Sequence, residues 1–318
     1  PAVSGMLSPR QALDSLLTGS GLMVVEEAGS AVIRPVPPAS QRPAHTEATL
    51  PSIQVTAARE AFQPQAVRIE RQDIERSNPS DLQDLFRGQA ATQVGSSLPV
   101  SQKLYVNGVE ENNLATTIDG SRQNNKIFHH NATTLIDPTL LKAVRVDPGV
   151  APADAGPGAL AGAVAYETLD ASELLEPGRT LGGLLKGEFE SNGSIATASG
   201  ALYGQQGGFE FLGYLKSANG NTRKDGAGER IIGSGTDSLS GLGKLAYQSD
   251  AGHRVELSHE SVRDDEARPY RADMGRILGG RPVPLTRTYA LHRQNTALTS
   301  TNPKASGLWN PKVQLSRA

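Results

Sequence analysis

The stretch FEFLGYLK at residues 209–216 alternates with a period of two. Phe209, Phe211, Gly213 and Leu215 fall on one side of an extended chain, and Glu210, Tyr214 and Lys216 fall on the other, the spacing of a β-strand with unlike faces. The pattern recurs where Leu185, Gly187 and Phe189 oppose Lys186, Glu188 and Glu190, and where Val255 and Leu257 oppose Arg254, Glu256 and Ser258. Two architectures share it. An antiparallel sheet with one solvated face sets the charges in water. A membrane barrel sets the apolar side in lipid and lines a wet lumen with the charged side. Taken alone, the pattern favours the solvated sheet, the commoner arrangement when strands are few.

Composition agrees with strands and narrows the function. The chain has 318 residues, with 31 Lys and Arg against 33 Asp and Glu, a formal charge of -2, so it offers a polyanion no general attraction and no nucleic-acid partner is expected. With 34 Gly and 20 Pro, turn formers are too frequent for a helical bundle. The absence of cysteine removes disulfides, thiolate metal sites and a Cys nucleophile together. No stretch approaches the roughly 20 apolar residues of a spanning helix, so a membrane crossing would be made by paired strands. Residues Pro1 to Gly5 lack the charged start and apolar core of a signal peptide, and the N-terminus is expected to be processed or cut.

The order of elements changes along the chain. Ser8 as N-cap, Pro9 in the first turn and Gln11 three residues on predict a helix with Leu13, Leu16 and Leu17 on its apolar face. Leu22–Glu26 and Ala31–Arg34 follow as short strands, a helix-hairpin too small to stand alone. Residues 37–57 form a Pro-rich linker that ends in a strand-forming island, Leu50, Pro51, Ser52, Ile53, Gln54, Val55 and Thr56. The island reads as an edge strand or as a docking peptide that adds itself to a partner's sheet. Residues 58–172 read as a small α+β domain: Asn78 caps a helix from Pro79 that buries Leu82, Leu85 and Phe86, Asp119-Gly120 turns, Asp137-Pro138 starts another helix, and Gly156 to Gly162 bends. The glycines 156, 158 and 162 are not a nucleotide fingerprint, because a strand follows where that motif demands a helix.

These residues together carry a resemblance. SPRQALDSLLTGSGL (8–22), the Pro-rich linker, LPSIQVTA (50–57), TIDGSRQ (117–123), GPGALAGAVAYETLDA (156–171) and the alternating strands occur in the order of a TonB-dependent outer-membrane receptor. The resemblance implies an α+β plug domain (58–172) followed by the first antiparallel strands of a transmembrane β-barrel (173–318). A partial βαβ-type signalling domain (1–36) and a TonB box within the 37–57 linker precede them. It implies the bacterial outer membrane as location, with the N-terminal part in the periplasm. The implied partners are the TonB complex at residues 50–56, outer-membrane lipid and a periplasmic anti-sigma regulator. An outer-membrane transporter with a plugged lumen has about 22 strands, and at about 10 residues per crossing residues 173–318 supply about a third of that wall, so the chain is expected to be a fragment.

Within this superfamily, HHNATTLIDPTLLKAVRV (129–146) is most similar to haem and haemoprotein receptors. There a plug-loop histidine seven residues before an Asp-Pro pair is an axial haem ligand, and His130 stands seven before Asp137, with His129 beside it. The resemblance therefore implies haem as a transported ligand, His130 on its iron, and no permanent cofactor. A second ligand from a later extracellular loop lies beyond this sequence. A ferric-siderophore receptor of the same build is the alternative, and a soluble β-rich adhesin or binding module is a third reading from another class. His253, His259 and His292 are assigned to structure, and Asp264, Asp265 and Glu266 to a solvated loop, with Arg268 to Arg271 after it as candidate ligand contacts. No nucleophile elbow, metal-spaced histidine set or catalytic carboxylate pair is evident, so no enzyme is expected.

Overall fold

The computed structural model describes residues 7–27, 30–36, 66–96, 98–124, 134–149, 151, 155–156, 158–271, 280, 282–302 and 310–318. The chain divides into two units, residues 1–59 and 60–318. In the first, helix α1 (Pro9–Leu17) carries the expected capping box, with the Ser8 hydroxyl accepting from the Gln11 amide and the Gln11 side chain accepting from the Ser8 amide. Strands β1 (Leu22–Glu27) and β2 (Ser30–Pro35) follow as an antiparallel hairpin.

The second unit opens with β3 (Val67–Glu70), α2 (Arg71–Ser77) and α3 (Leu82–Leu85). Here the sequence reading of Asn78 is corrected. Asn78 ends α2 in a left-handed conformation at φ 42°, a state Asn tolerates, and Asp81 is the N-cap of the next helix, its carboxylate accepting from the Asp84 amide at 2.9 Å. Leu82, Leu85 and Phe86 are buried as expected. A three-stranded sheet, β4 (Thr92–Gly95), β5 (Lys103–Val106) and β6 (Val109–Glu110), sits beside a five-stranded one. The latter comprises β7 (Ala115–Ile118), β8 (Ser121–Arg122), β9 (Leu141–Pro148) and β10 (Gly162–Thr168) together with β3, in the order β3-β9-β10-β7-β8. Asp119-Gly120 makes the two-residue turn between β7 and β8, both residues at positive φ. Asp137-Pro138 starts one turn of 3-10 helix rather than an α-helix, because β9 begins at Leu141. One apolar core, from Ile69, Ile74 and Phe86 through Leu104, Val144 and Tyr166, lies wholly within this α+β body.

A short helix α4 (Ala171–Leu174) leads into seven strands that pair antiparallel in sequence order: β11 (Leu181–Glu190), β12 (Ile195–Gln206), β13 (Phe209–Gly220), β14 (Thr236–Gln248), β15 (Arg254–Pro269), β16 (Thr286–Thr301) and β17 (Val313–Arg317). The sheet is open, with β11 and β17 at its edges. One end has the short turns at Gly207-Gly208 and at residues 249–253 together with the 302–312 connection, and the other has the 191–194 turn and the two longest connections, 221–235 and 270–285. The acidic run Asp264–Glu266 is not a loop. It lies in β15, where Asp264 is buried and Arg268 grips it with two hydrogen bonds of 2.7 Å. Arg268 also donates to the carbonyls of Gly233 and Gly235, so it is a buried tie on the 221–235 connection and not an exposed ligand contact.

Candidate functional site

Which face of the seven-stranded sheet is covered decides between the two architectures. The apolar side is bare: Leu185 is 91% exposed, Phe209 65% and Leu245 61%. The charged side is buried: Glu210 and Lys244 are 6% exposed and Glu260 1%. This is the inverse of a sheet with one solvated face, and an apolar surface of this extent calls for an apolar surrounding. Phe209 and Tyr247, with ring centroids 4.6 Å apart, lie on that outer side beside the Gly207-Gly208 turn. His259 and His292 lie there too, hydrogen-bonded across the strands to Thr296 and Ser261.

The inner side is covered by the α+β body, and polar contacts dominate the join. Lys244 on β14 lies 2.8 Å from the Asp170 carboxylate, 3.7 Å from Asp119 and 3.6 Å from Glu256, and donates to the Thr168 carbonyl at 3.1 Å. Asp119 accepts in turn from the Thr168 amide and hydroxyl. Arg254 bridges Glu210 at 2.8 Å and Glu256 at 2.7 Å, while Glu210 accepts from the Ser172 amide. Gln314 of β17 donates to the Asp119 carbonyl at 2.7 Å. Near the end of the sheet with the long connections, Lys216 pairs with Asp137 at 3.1 Å. A smaller apolar patch, Leu140 and Leu169 against Tyr203, Leu212, Tyr214 and Leu242, completes the join.

Burial pushes the Asp137 carboxyl up, but Lys216 and hydrogen bonds from Thr139 and Ser240 outweigh it and hold the group below the ordinary carboxylate value. Asp170 behaves likewise: burial raises it, and Lys244 and Lys142 more than reverse the effect. Burial lowers the Lys142 ammonium, and its 2.5 Å contact with Asp170 overrides that and raises it.

Two cavities separate the α+β body from the sheet. One, of about 660 Å³ at the end with the long connections, is lined by Asn78, Thr134, Asp137, Lys216 and Arg268 among others. The other, of about 810 Å³ at the short-turn end, is lined by Lys142, Arg145, Lys244 and Arg254. Thr134 and Leu135, where the chain returns from the 125–133 segment, line the first. His129 and His130 lie in that segment, outside the described residues, as do residues 50–56 of the docking island. Among the described residues no group of three or more His, Cys, Asp or Glu is placed to hold a metal ion. The plug contacts that the sequence did not reveal are those of Lys244, of Arg293, which donates to the Leu135 carbonyl, and of Asn295, which donates to the Ile118 carbonyl at 3.3 Å; all three residues carry the inward parity of their strands, the one sequence signal for them.

Residues 58–163 match the TonB-dependent Receptor Plug Domain family. The heme transporter BhuA of Brucella ovis is 37% identical over 243 residues, 76% of this chain and 36% of the relative, so the chain spans about a third of that relative's length. The FrpB iron transporter of Neisseria meningitidis shares the fold at a TM-score of 0.70 and 22% identity, over 79% of this chain and 40% of that one. So does the Serratia marcescens hemophore receptor HasR, solved with its hemophore HasA and heme, at 0.66 and 21%, over 79% and 37%. With the charged side of its open sheet closed over a plug and the apolar side turned outward, this chain belongs to the TonB-dependent receptors.

Proposed function

We propose that the chain is part of an outer-membrane receptor that binds haem or a haem-carrying protein and admits haem to the periplasm. The observation that carries the reading is the inverted sheet, whose apolar face suits lipid and whose charged face encloses a plug. The name of the 37% identical relative supports haem as the ligand. In this reading the end with short turns faces the periplasm and the end with the long connections faces outward, the usual asymmetry of such barrels. Residues 1–36 serve signalling to a periplasmic anti-sigma regulator, residues 58–172 are the plug and residues 173–318 the first part of the wall.

His130, with His129 beside it, supplies an axial ligand to the haem iron. Neutral imidazole donates a ring-nitrogen lone pair, and hydrogen bonds to the other nitrogen tune its basicity. Leu50 to Thr56 form the TonB box, an extended segment that adds to a sheet edge of TonB through main-chain hydrogen bonds. Transport by this route makes and breaks no covalent bond, so the receptor is not an enzyme. Ligand binding shifts the exposure of the box only by its differential affinity for the two states.

The test replaces His129 and His130 with Ala in the whole receptor and follows the haem Soret band and haem-dependent growth. Loss of haem binding by about tenfold or more is expected for a lost iron ligand. Unchanged binding and growth overturn the histidine assignment. Uptake of a ferric siderophore by a receptor indifferent to haem overturns the ligand as well.

A further inference from the structure

The outward side of the sheet is not apolar throughout. On β13 and β14 it carries, in register, Phe211 with Leu245, Gly213 with Gly243 and Leu215 with Gly241. On β15 and β16 the same rows continue as Leu257 with Leu298, His259 with Thr296 and Ser261 with Gln294. His259 Nδ1 lies 2.9 Å from Thr296 Oγ1, and His292 Nε2, one outward row further, lies 3.1 Å from Ser261 Oγ. His259, His292 and Gln294 are exposed. A polar strip two strands wide therefore interrupts the apolar face.

A β-strand crosses hydrocarbon in about 9–11 residues. Counted from Arg254 and Thr301 at the end with the short turns, His259 and Thr296 are sixth in their strands and Ser261 and Gln294 eighth, so the strip lies within the crossing. Lipid tails offer these groups no hydrogen bonds. The cross-strand bonds use one nitrogen of each imidazole and leave the other, and the Gln294 carboxamide adds two donors and an acceptor oxygen. Beside the strip, Gly200, Gly213, Gly241 and Gly243 floor a dent of about 650 Å³ that His259 and Ser261 edge. Between helices in lipid, polar side chains hydrogen-bond across the contact and small residues let backbones approach closely; the strip and the dent offer a wall both. A strand added to β17 extends the wall sideways and leaves this face uncovered.

Two copies inserted with the same sense in one membrane are related by an axis along the membrane normal, so each level of one meets the same level of the other. Such a contact needs side chains that pair with their own kind. Neutral imidazole, hydroxyl and carboxamide each donate and accept, and the rows of His259 and Ser261 hold no fixed charge to repel its copy. Arg263, in the row of His292, is paired with Asp265 on its own strand.

We propose that the outward faces of β15 and β16 form an interface with a second copy of the receptor in the membrane, with His259, Ser261, Gln294 and Thr296 at its centre. The interface rests on the reading of the outer face as lipid-facing.

The test uses the whole receptor in native outer membranes, with any cysteine outside this chain replaced, since the chain itself has none. A short bis-maleimide is expected to give a product of twice the receptor's mass from Leu298→Cys, beside the strip, and little from Leu185→Cys, on β11 at the far side of the sheet. Adding Gln294→Leu or Thr296→Val to Leu298→Cys is expected to lower that product about tenfold. No product from Leu298→Cys, equal product from Leu185→Cys, a product containing a different protein, or indifference to both added substitutions overturns the interface. A nitroxide on Leu185→Cys reports on the reading beneath it. Relaxation by oxygen rather than by a water-soluble chromium complex upholds the lipid-facing wall even where the interface fails, and the reverse overturns both.

Discussion

Lys244 of β14 reaches from the wall into the plug and closes on the Asp170 carboxylate at 2.8 Å. Lys142 of the plug holds the other oxygen of the same carboxylate at 2.5 Å. Plug and wall therefore share one anion, clamped between a cation from each.

Removing the wall cation leaves Asp170 with Lys142 and Glu256 with Arg254, and deprives Asp119 of its cation. Breaking a buried pair from one side costs about 3 kcal/mol. Lys244→Met is expected to lower the urea midpoint at which the plug becomes accessible to protease, while the wall unfolds as before.

Acid acts on the same join. Asp137 and Asp170 titrate below the ordinary carboxylate value in the folded protein, so their stabilisation is present above that value and lost as pH falls through the lowered ones. Lys142 titrates above the ordinary lysine value, so its contribution holds below that value and goes only as pH rises through the raised one. Plug accessibility to protease is expected to stay flat through neutral pH and to rise below about pH 4.

The outer face gives a test with opposite signs for the two architectures. Leu185→Arg or Leu245→Arg places a charge on the exposed apolar side, which in lipid costs about 2–4 kcal/mol near mid-bilayer. The assembled fraction in outer-membrane preparations is expected to fall. In a sheet facing water, either change would be neutral or would aid solubility.

Within the plug, Gly162 has a φ of 132°, and a Cβ there would stand 2.3 Å from the Asp147 carbonyl oxygen. Gly162→Ala is expected to destabilise the plug by about 2 kcal/mol or more. Gly187, on the outer side of β11, has open space where a Cβ would go, with no atom of another segment within 4 Å, and Gly187→Ala is expected to stay within about 0.5 kcal/mol. Urea unfolding of the two variants checks both.

Much of the fold is encoded locally. The capping box at Ser8 and Gln11, the Asp119-Gly120 turn and the alternation in β11, β13 and β15 depend on neighbours in sequence, and each is present. What alternation does not encode is which face is in. That depends on the plug, whose hydrogen bonds with Lys216 and Lys244 join residues 74 to 79 positions apart. Asn78 misleads because a residue good at starting a helix also tolerates the left-handed end of one. Asp264 reads as solvated because its partner Arg268 lies four residues on, a spacing that carries no meaning in a strand until the chain around 233–235 folds over both. The plug contacts of Arg293 and Asn295 are invisible for the same reason, since both residues acquire these partners only when the plug fills the wall.

The large apolar core of the plug contains residues of the plug only, and the patch it shares with the wall is small and ringed by ions. Cohesion is thus private to the stopper, whereas its adhesion is wettable. Water entering the seam can rehydrate lysine and aspartate pairs one at a time, but it gains nothing by invading Val144 and Tyr166. Loosening is therefore expected to begin at this seam, before the stopper's own core is wetted.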